Sequence, residues 1–305
     1  MKASSNLSAH LALFVVAVIY GSNYVVAKEV LTGGFLEPIP FITLRVLFGA
    51  TLFWILISSR KREVVAKKDL RWMLVCSIFG IAVNQICFFM GLDYTTPIKA
   101  SLIMTTSPII ILVASAIILK EHLTKRKVIG LLIGAVGAIV LIANGQSITS
   151  SQGEWVGDLL VLANAASYSI YLVLVRDLMR KYNPFTVMAW VFTFGILWVL
   201  PLGLPGLLET DWQTFPISIW LAIGFVLLFT TFFTYLLNGY ALTKVNPSIV
   251  GIYIYLQPVV ASIIALTFGK DYLNLVKIIA GLCIFVGVYL VSLPTHRVKE
   301  ATKKF

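Results

Sequence analysis

The chain has 305 residues, of which 59% are hydrophobic and only 12% charged, with a formal net charge of +11 and a mean hydropathy of +0.94. A soluble domain carries about 25% charged residues, so a water-soluble fold is excluded: it would need a core helix apolar all round, ten times over. The positive balance calls for no nucleic-acid partner, because the basic residues gather in the short gaps between apolar runs.

Those runs are about as long as the ~20 residues that cross a bilayer. They predict ten spanning helices at 10–32, 39–58, 70–92, 97–119, 127–144, 155–176, 184–204, 215–237, 246–269 and 274–293. The first run is too long for the apolar region of a secretory leader, and "YGSNYVVAKEVLTGGF" offers no small-x-small cleavage site, so it is expected to stay as a helix. It carries a polar patch of Tyr20, Asn23 and Tyr24. The second holds Arg45, the one basic residue well inside a span. Arg45 is expected to snorkel or to pair with Glu37 or Asp93, the other reading being contact with a substrate carboxylate. The loop "SRKREVVAKK" that follows reads as a solvated, lipid-touching segment.

Asn84 and Gln85 lie in the third span, and Thr105, Thr106, Ser107 and Pro108 in the fourth. The fifth shows Gly130, Gly134 and Gly137, a small-residue face that packs on another helix of this chain or on a second copy. In the sixth, Asn164, Tyr168 and Tyr171 follow i, i+4, i+7 and share one face. The eighth offers Thr231, Thr234 and Asn238, and the ninth Tyr253, Gln257 and Pro258. Cys76, Cys87 and Cys283 fall inside spans without a CxxC pair and read as small buried hydrophobes.

Basic loops stay on the cytoplasmic side of a membrane. With the N-terminus inside, 19 of the 24 Lys and Arg residues fall on inside segments and four outside, Arg45 lying within a span. Both termini are therefore expected in the cytoplasm, in the inner (plasma) membrane.

A motif recurs along this pattern. "SPIIILVASAIILKEHL" and "QPVVASIIALTFGKDYL" each set a proline in mid-span, a lysine twelve residues on, and then an acid, any residue and leucine. "PFITLRVLFG" and "PFTVMAWVFTFG" echo each other at spans two and seven, as Trp72 and Trp220 do at three and eight. Two five-span units follow, 1–145 and 146–305. Five is odd, so the second unit is upside down relative to the first. Inverted repeats with a midplane site between them are a recurrent architecture of secondary transporters.

On "YGSNYVVAK", "PFITLR", "TSPIIILVASAIILKEHLT", "GLLIGAVGAIVLI", "ASYSIYLVLVRD", "LQPVVASIIALTFGKDYL" and "GLCIFVGVYLV", the chain resembles the EamA-type permeases of the drug/metabolite transporter superfamily. The resemblance spans nearly the whole chain, departing at Tyr20, where such proteins often carry tryptophan. It implies ten helices in two inverted five-helix repeats, and export of small metabolites, amino acids or drugs.

Polar side chains in spans of both halves either bond helices together or line an aqueous cavity. As a set they are expected to line one: Asn23, Asn84, Thr105, Tyr168, Tyr171, Tyr253 and Gln257 are the candidate substrate contacts, with Pro108 and Pro258 as hinges. Each proline withholds an N–H from the residue four before it, Met104 or Ile254. Thr105, Thr106 and Ser107, or Gln257, are the expected partners of the freed groups. All thirteen acids lie in loops or near span ends, which argues against a buried-acid proton relay. Lys120–Glu121 and Lys270–Asp271, at helix ends, are expected to serve as interfacial ion pairs and lipid-headgroup anchors.

No phosphate-binding loop, long soluble insertion or acid cluster points to an enzyme. The expected function is a secondary transporter for small neutral or zwitterionic metabolites such as amino acids, working by alternating access. Alternatives are a multidrug or lipophilic-cation exporter and, behind it, a membrane-embedded transferase or a lipid flippase. No cofactor, metal or nucleic acid is expected. The partners are a small-molecule substrate and membrane lipid, the chain being a monomer or a homodimer.

Overall fold

An apolar environment leaves a backbone few options: each N–H and C=O must be bonded within the protein, which a helix does segment by segment. The computed structural model describes residues 2–32, 34–58, 63–95, 97–143, 154–267 and 274–293, and it has no strand among them. Expectations placed on the loop after residue 144, on the second lysine–acid motif at 270–273 and on the tail from 294 lie outside the described residues.

In chain order come α1 (Lys2–Thr32), α2 (Pro38–Ser58), α3 (Lys67–Ser77) and α4 (Val83–Tyr94), then α5 (Pro97–Met104), α6 (Ser107–Ile118) and α7 (Lys125–Ala143). The later part has α8 (Glu154–Lys181), α9 (Pro184–Glu209), α10 (Ile217–Phe225), α11 (Thr234–Lys244), α12 (Pro247–Ile252), α13 (Leu256–Thr267) and α14 (Leu275–Ser292). Seven continuous helical stretches among the described residues are long and apolar enough to cross a membrane, and Pro247–Val260 and Ile278–Ser292 are shorter apolar helices beside them. Ile117, Leu221 and Leu202 are each more than 60% exposed on the outside of the bundle. Large apolar side chains on that scale suit lipid and not water.

Four helices are interrupted, and the interruptions match in position. α3 runs into α4 through a widened turn at Ile78–Ala82, and α10 into α11 through another at Val226–Phe233. Widened turns inside helices often mark functional sites. In the second, side-chain hydroxyls take up backbone carbonyls: Thr231 Oγ1 donates to Val226 O at 3.0 Å, and Thr234 Oγ1 donates to Thr230 O. Before Pro108, α5 ends at Met104 and α6 starts at Ser107; before Pro258, a tight turn at Tyr253–Tyr255 separates α12 from α13.

The side chains expected to take up the carbonyls of Met104 and Ile254 bond elsewhere. Thr105 and Thr106 donate to Leu102 O (2.6 Å) and Ile103 O (2.8 Å), one turn back. Gln257 instead accepts from Tyr24 OH across the bundle, because its side chain points away from its own helix axis toward α1.

α7 packs along α14, α2 along α9, α4 along α8, and α1 against α11 and α13. The glycine face of α7 is used within the chain. A Cβ at Gly287 would stand 2.6 Å from Gly130 O and 2.9 Å from Gly134 Cα, so only glycine permits this approach.

Candidate functional site

Helix α1 gives the bundle its long axis. At one end Ser8 Oγ lies 2.8 Å from Tyr240 OH and His10 Nδ1 2.8 Å from Tyr253 OH. At the other, Lys28 Nζ donates to Leu92 O (2.7 Å) and Asp93 O (2.9 Å), closing the C-terminus of α4. Between these ends the polar face of α1 opens onto a cavity.

The cavity holds about 530 Å³ of space between atoms, counted together with its open mouth. Tyr20, Asn23, Tyr24, Arg45, Asn84, Gln85, Phe88, Phe89 and Met104 line it from the earlier helices; Asn164, Tyr168, Thr230, Tyr235 and Gln257 line it from the later ones. Hydrogen bonds in this wall cross between the two sets. Thr230 Oγ1 donates to Asn23 Oδ1 (3.0 Å), Tyr24 OH to Gln257 Oε1 (3.1 Å) and Asn164 Nδ2 to Asn84 O (2.7 Å). Gln85 Nε2 donates to Tyr235 OH (3.3 Å), which donates to Gly80 O (2.7 Å) in the widened turn. The Gln85 Oε1 and Asn164 Oδ1 atoms are buried without a hydrogen-bond partner among the described residues.

Arg45 is 4% exposed and sits in this wall. Its Nε donates to Thr231 Oγ1 at 2.8 Å, and its guanidinium carbon lies 4.5 Å from the centre of the Phe89 ring. The expected ion pair with Glu37 or Asp93 does not form: both acids are exposed, and no carboxylate is within ion-pair distance of Arg45 among the described residues. Helix α2 turns Arg45 toward the centre of the bundle, away from the ends where acids stand.

A smaller compartment adjoins the cavity toward the His10 end, lined by Leu13, Val16, Ala17, Asn238, Val250, Tyr253 and Ile254. Tyr20, Tyr168 and Gln257 belong to both linings, so these three side chains divide the two spaces. Asn238 Nδ2 steadies the partition by donating to Tyr168 OH at 3.0 Å.

Of the residues expected at the site, Asn23, Asn84, Tyr168 and Gln257 meet in the cavity wall, while Tyr253 lines the smaller compartment. Tyr171 stands behind the wall: its ring covers Gly80, where a Cβ would come within 2.4 Å, and its hydroxyl donates to Met188 Sδ. Thr105 closes the helix break beside Met104. Pro108 packs on Gly251 of α12. Phe88, Phe89, Thr230 and Tyr235 were not singled out in the sequence. Helical spacing holds a signal for three of them, since Phe88 and Phe89 stand four positions after Asn84 and Gln85, and Tyr235 four after Thr231.

Beyond the smaller compartment a charged cluster shuts the His10 end. Glu121 accepts from Lys127 Nζ and from Ser248 Oγ, the latter at 2.6 Å. Arg176 and Arg180 both donate to Asn246 Oδ1, at 3.2 and 3.1 Å. The partner expected for Glu121 was its neighbour Lys120. Lys120 instead adopts a left-handed backbone (φ 50°), which turns Glu121 inward to the buried Lys127.

The model of the EamA-like transporter family matches residues 7–143 and again 155–293. An uncharacterized transporter of Bacillus subtilis, YyaM, is 26% identical over 97% of this chain and 98% of its own. An uncharacterized transporter of Archaeoglobus fulgidus is 29% identical over 84% of this chain and 89% of its own. A protein of Streptantibioticus cattleyicolor named as a probable terminal-alkyne amino-acid exporter is 23% identical over 77% of each chain. One solved crystal structure, 19% identical, superposes with a TM-score of 0.73 over 95% of this chain and 98% of that one, a likeness of fold alone.

Proposed function

This chain belongs to the EamA-like transporter family, and from that premise we propose that it moves small neutral or zwitterionic metabolites, amino acids among them, across the cytoplasmic membrane by alternating access. The observation that carries the reading is the cavity wall, built from both segments that the family model matches and bonded across them by amide and hydroxyl groups. Amides and hydroxyls bind an ammonium and a carboxylate together, and tyrosine and phenylalanine faces accept an apolar side chain.

We read the architecture as ten membrane helices in two inverted units, 1–145 and 146–305. The helix contacts support it. Exchanging the units sends the α4–α8 contact onto α1–α11, and the α6–α8 contact onto α1–α13, while α2–α9 and α7–α14 map onto themselves. The widened turns and the proline breaks exchange in the same way. The His10 end carries the basic segments and is assigned to the cytoplasm. The cavity then faces outward, with the Tyr20–Tyr168–Gln257 partition and the Glu121 cluster closed beneath it. Alternating access needs these barriers to open while the Phe88–Phe89 end closes.

The family and the relatives are named as transporters and not as enzymes. A lipophilic-cation exporter is disfavoured because no carboxylate lines the cavity, and a buried cation is best held by one. The test is counterflow in proteoliposomes with amino acids, a sugar phosphate and a lipophilic cation, for wild type, Asn23→Ala and Gln257→Ala. Amino acids should exchange, with apparent affinity about tenfold weaker in each variant, the loss of roughly one buried hydrogen bond to a charged group. Preference for the sugar phosphate, or unchanged affinity in both variants, overturns the reading.

A further inference from the structure

Arg45 is the one charged side chain in the cavity wall, and the protein sets no carboxylate within ion-pair distance of it among the described residues. A buried guanidinium normally faces a carboxylate. Here the Nε alone is bonded, to Thr231 Oγ1. That hydroxyl commits its own proton to Val226 O in the widened turn, so it acts toward Arg45 as an acceptor and fixes the rotation of the side chain. The Phe89 ring supports one face of the guanidinium plane at 4.5 Å. The two terminal nitrogens bond no protein group among the described residues, and the side chain lines the cavity. Held on one edge and one face, the guanidinium presents its two terminal nitrogens as a fork, the geometry that matches the two oxygens of a carboxylate.

Resting on the transport reading above, we propose that Arg45 is the carboxylate subsite of this cavity, binding the substrate's carboxylate end-on through its two terminal nitrogens, with Thr231 as its positioning residue. A single positive charge balances a monoanion and leaves a phosphate dianion undercompensated, so the subsite selects carboxylates. The amide oxygens of Gln85 and Asn164, two residues of the same wall, accept no hydrogen bond among the described residues. The wall thus holds spare acceptors for an ammonium on the same substrate. The subsite makes the preferred cargo a carboxylic acid with an amino group, and it makes removal of the carboxylate charge the modification the transporter tolerates least.

The experiment is counterflow in proteoliposomes with matched probes: leucine, phenylalanine and threonine, each beside its carboxamide, with tetraphenylphosphonium as a cation without a carboxylate. Wild type should move at least one of the acids tenfold or more faster than its amide. Arg45→Gln should bring that ratio within twofold of one by slowing the acid, and Arg45→Lys, which keeps the charge but not the fork, should fall between. Thr231→Val leaves the charge in place and removes the acceptor that orients it, so the acid-to-amide ratio should drop toward that of Arg45→Gln; this variant keeps the test alive if Arg45→Gln fails to fold. Acids and amides moving alike in wild type, or an unchanged ratio in Arg45→Gln or Thr231→Val, overturns the subsite while leaving the transporter reading in place. Movement of tetraphenylphosphonium with none of the acids overturns both.

Discussion

Ser248 Oγ donates to Glu121 Oε1 at 2.6 Å, joining the start of α12 to the α6–α7 connection 127 residues earlier. The same carboxylate takes Lys127 Nζ, and its side chain is only 7% exposed. The acid of the first lysine–acid motif, Glu121, is therefore an internal fastening between the earlier and the later helices.

Glu121→Gln keeps an acceptor for Ser248 but leaves Lys127 buried without a counter-charge. Removing one partner of a buried pair costs roughly 3 kcal/mol, well above the ~1.4 kcal/mol that shifts an equilibrium tenfold. The variant should open this end. With Cys76, Cys87 and Cys283 replaced, a cysteine at Val250 in the smaller compartment should react with a water-soluble maleimide about tenfold faster in Glu121→Gln than in its parent. Equal rates would show that Glu121 does not hold the end shut.

Pro108→Ala and Pro258→Ala restore N–H groups facing Met104 O and Ile254 O. Each removes the proline that stands in the first turn after its break, in α6 and α13, and so favours a continuous helix. Alternation requires two conformers of comparable free energy, so counterflow should fall about tenfold in each variant with insertion and expression nearly intact. Flux at the wild-type level in both would reduce the prolines to packing kinks.

Gly287→Ala adds a methyl 2.6 Å from Gly130 O, a backbone atom that cannot swing aside, whereas a Cβ at Gly281 meets nothing within 4 Å. Overpacking of this kind costs about 1–3 kcal/mol. Thermal unfolding in detergent should drop by roughly 3–6 °C for Gly287→Ala. Gly281→Ala should hold or rise slightly, because alanine is the better helix former by about 1 kcal/mol. Equal behaviour of the two would mean that α7 and α14 separate readily.

Reporter fusions at both ends of the chain should give a cytoplasmic signal, and one placed between residues 145 and 153 an external one. A cytoplasmic signal from that loop would end the inverted-unit architecture.

The positions of the helices were legible in the chain because lipid imposes one rule on every residue of a span. Apolar runs cannot be anything but helix there; most observed ends fall within three residues of the runs, while α1 begins eight residues earlier and α8, α9 and α11 run five to seven residues further. The doubled proline motif likewise located both helix breaks, since a missing N–H is a local property of the sequence. Asn23, Asn84, Tyr168 and Gln257 were recoverable as cavity residues by the same logic, polar groups that lipid would not accept.

What the sequence could not decide was which of these groups meet across the bundle. Tyr171 shares a helical face with Tyr168, yet Gly80 takes its ring and holds it behind the wall. Glu121 stands beside Lys120 in the chain but bonds Lys127, because one left-handed residue turns it inward. Arg45 has acids at plausible depth in the sequence and none within ion-pair distance among the described residues. Local rules of burial and hydrogen bonding follow from residue type and spacing alone. The direction in which a side chain points, and the helix from the other half that it meets, depend on how two distant segments pack, and that is settled only when they come together.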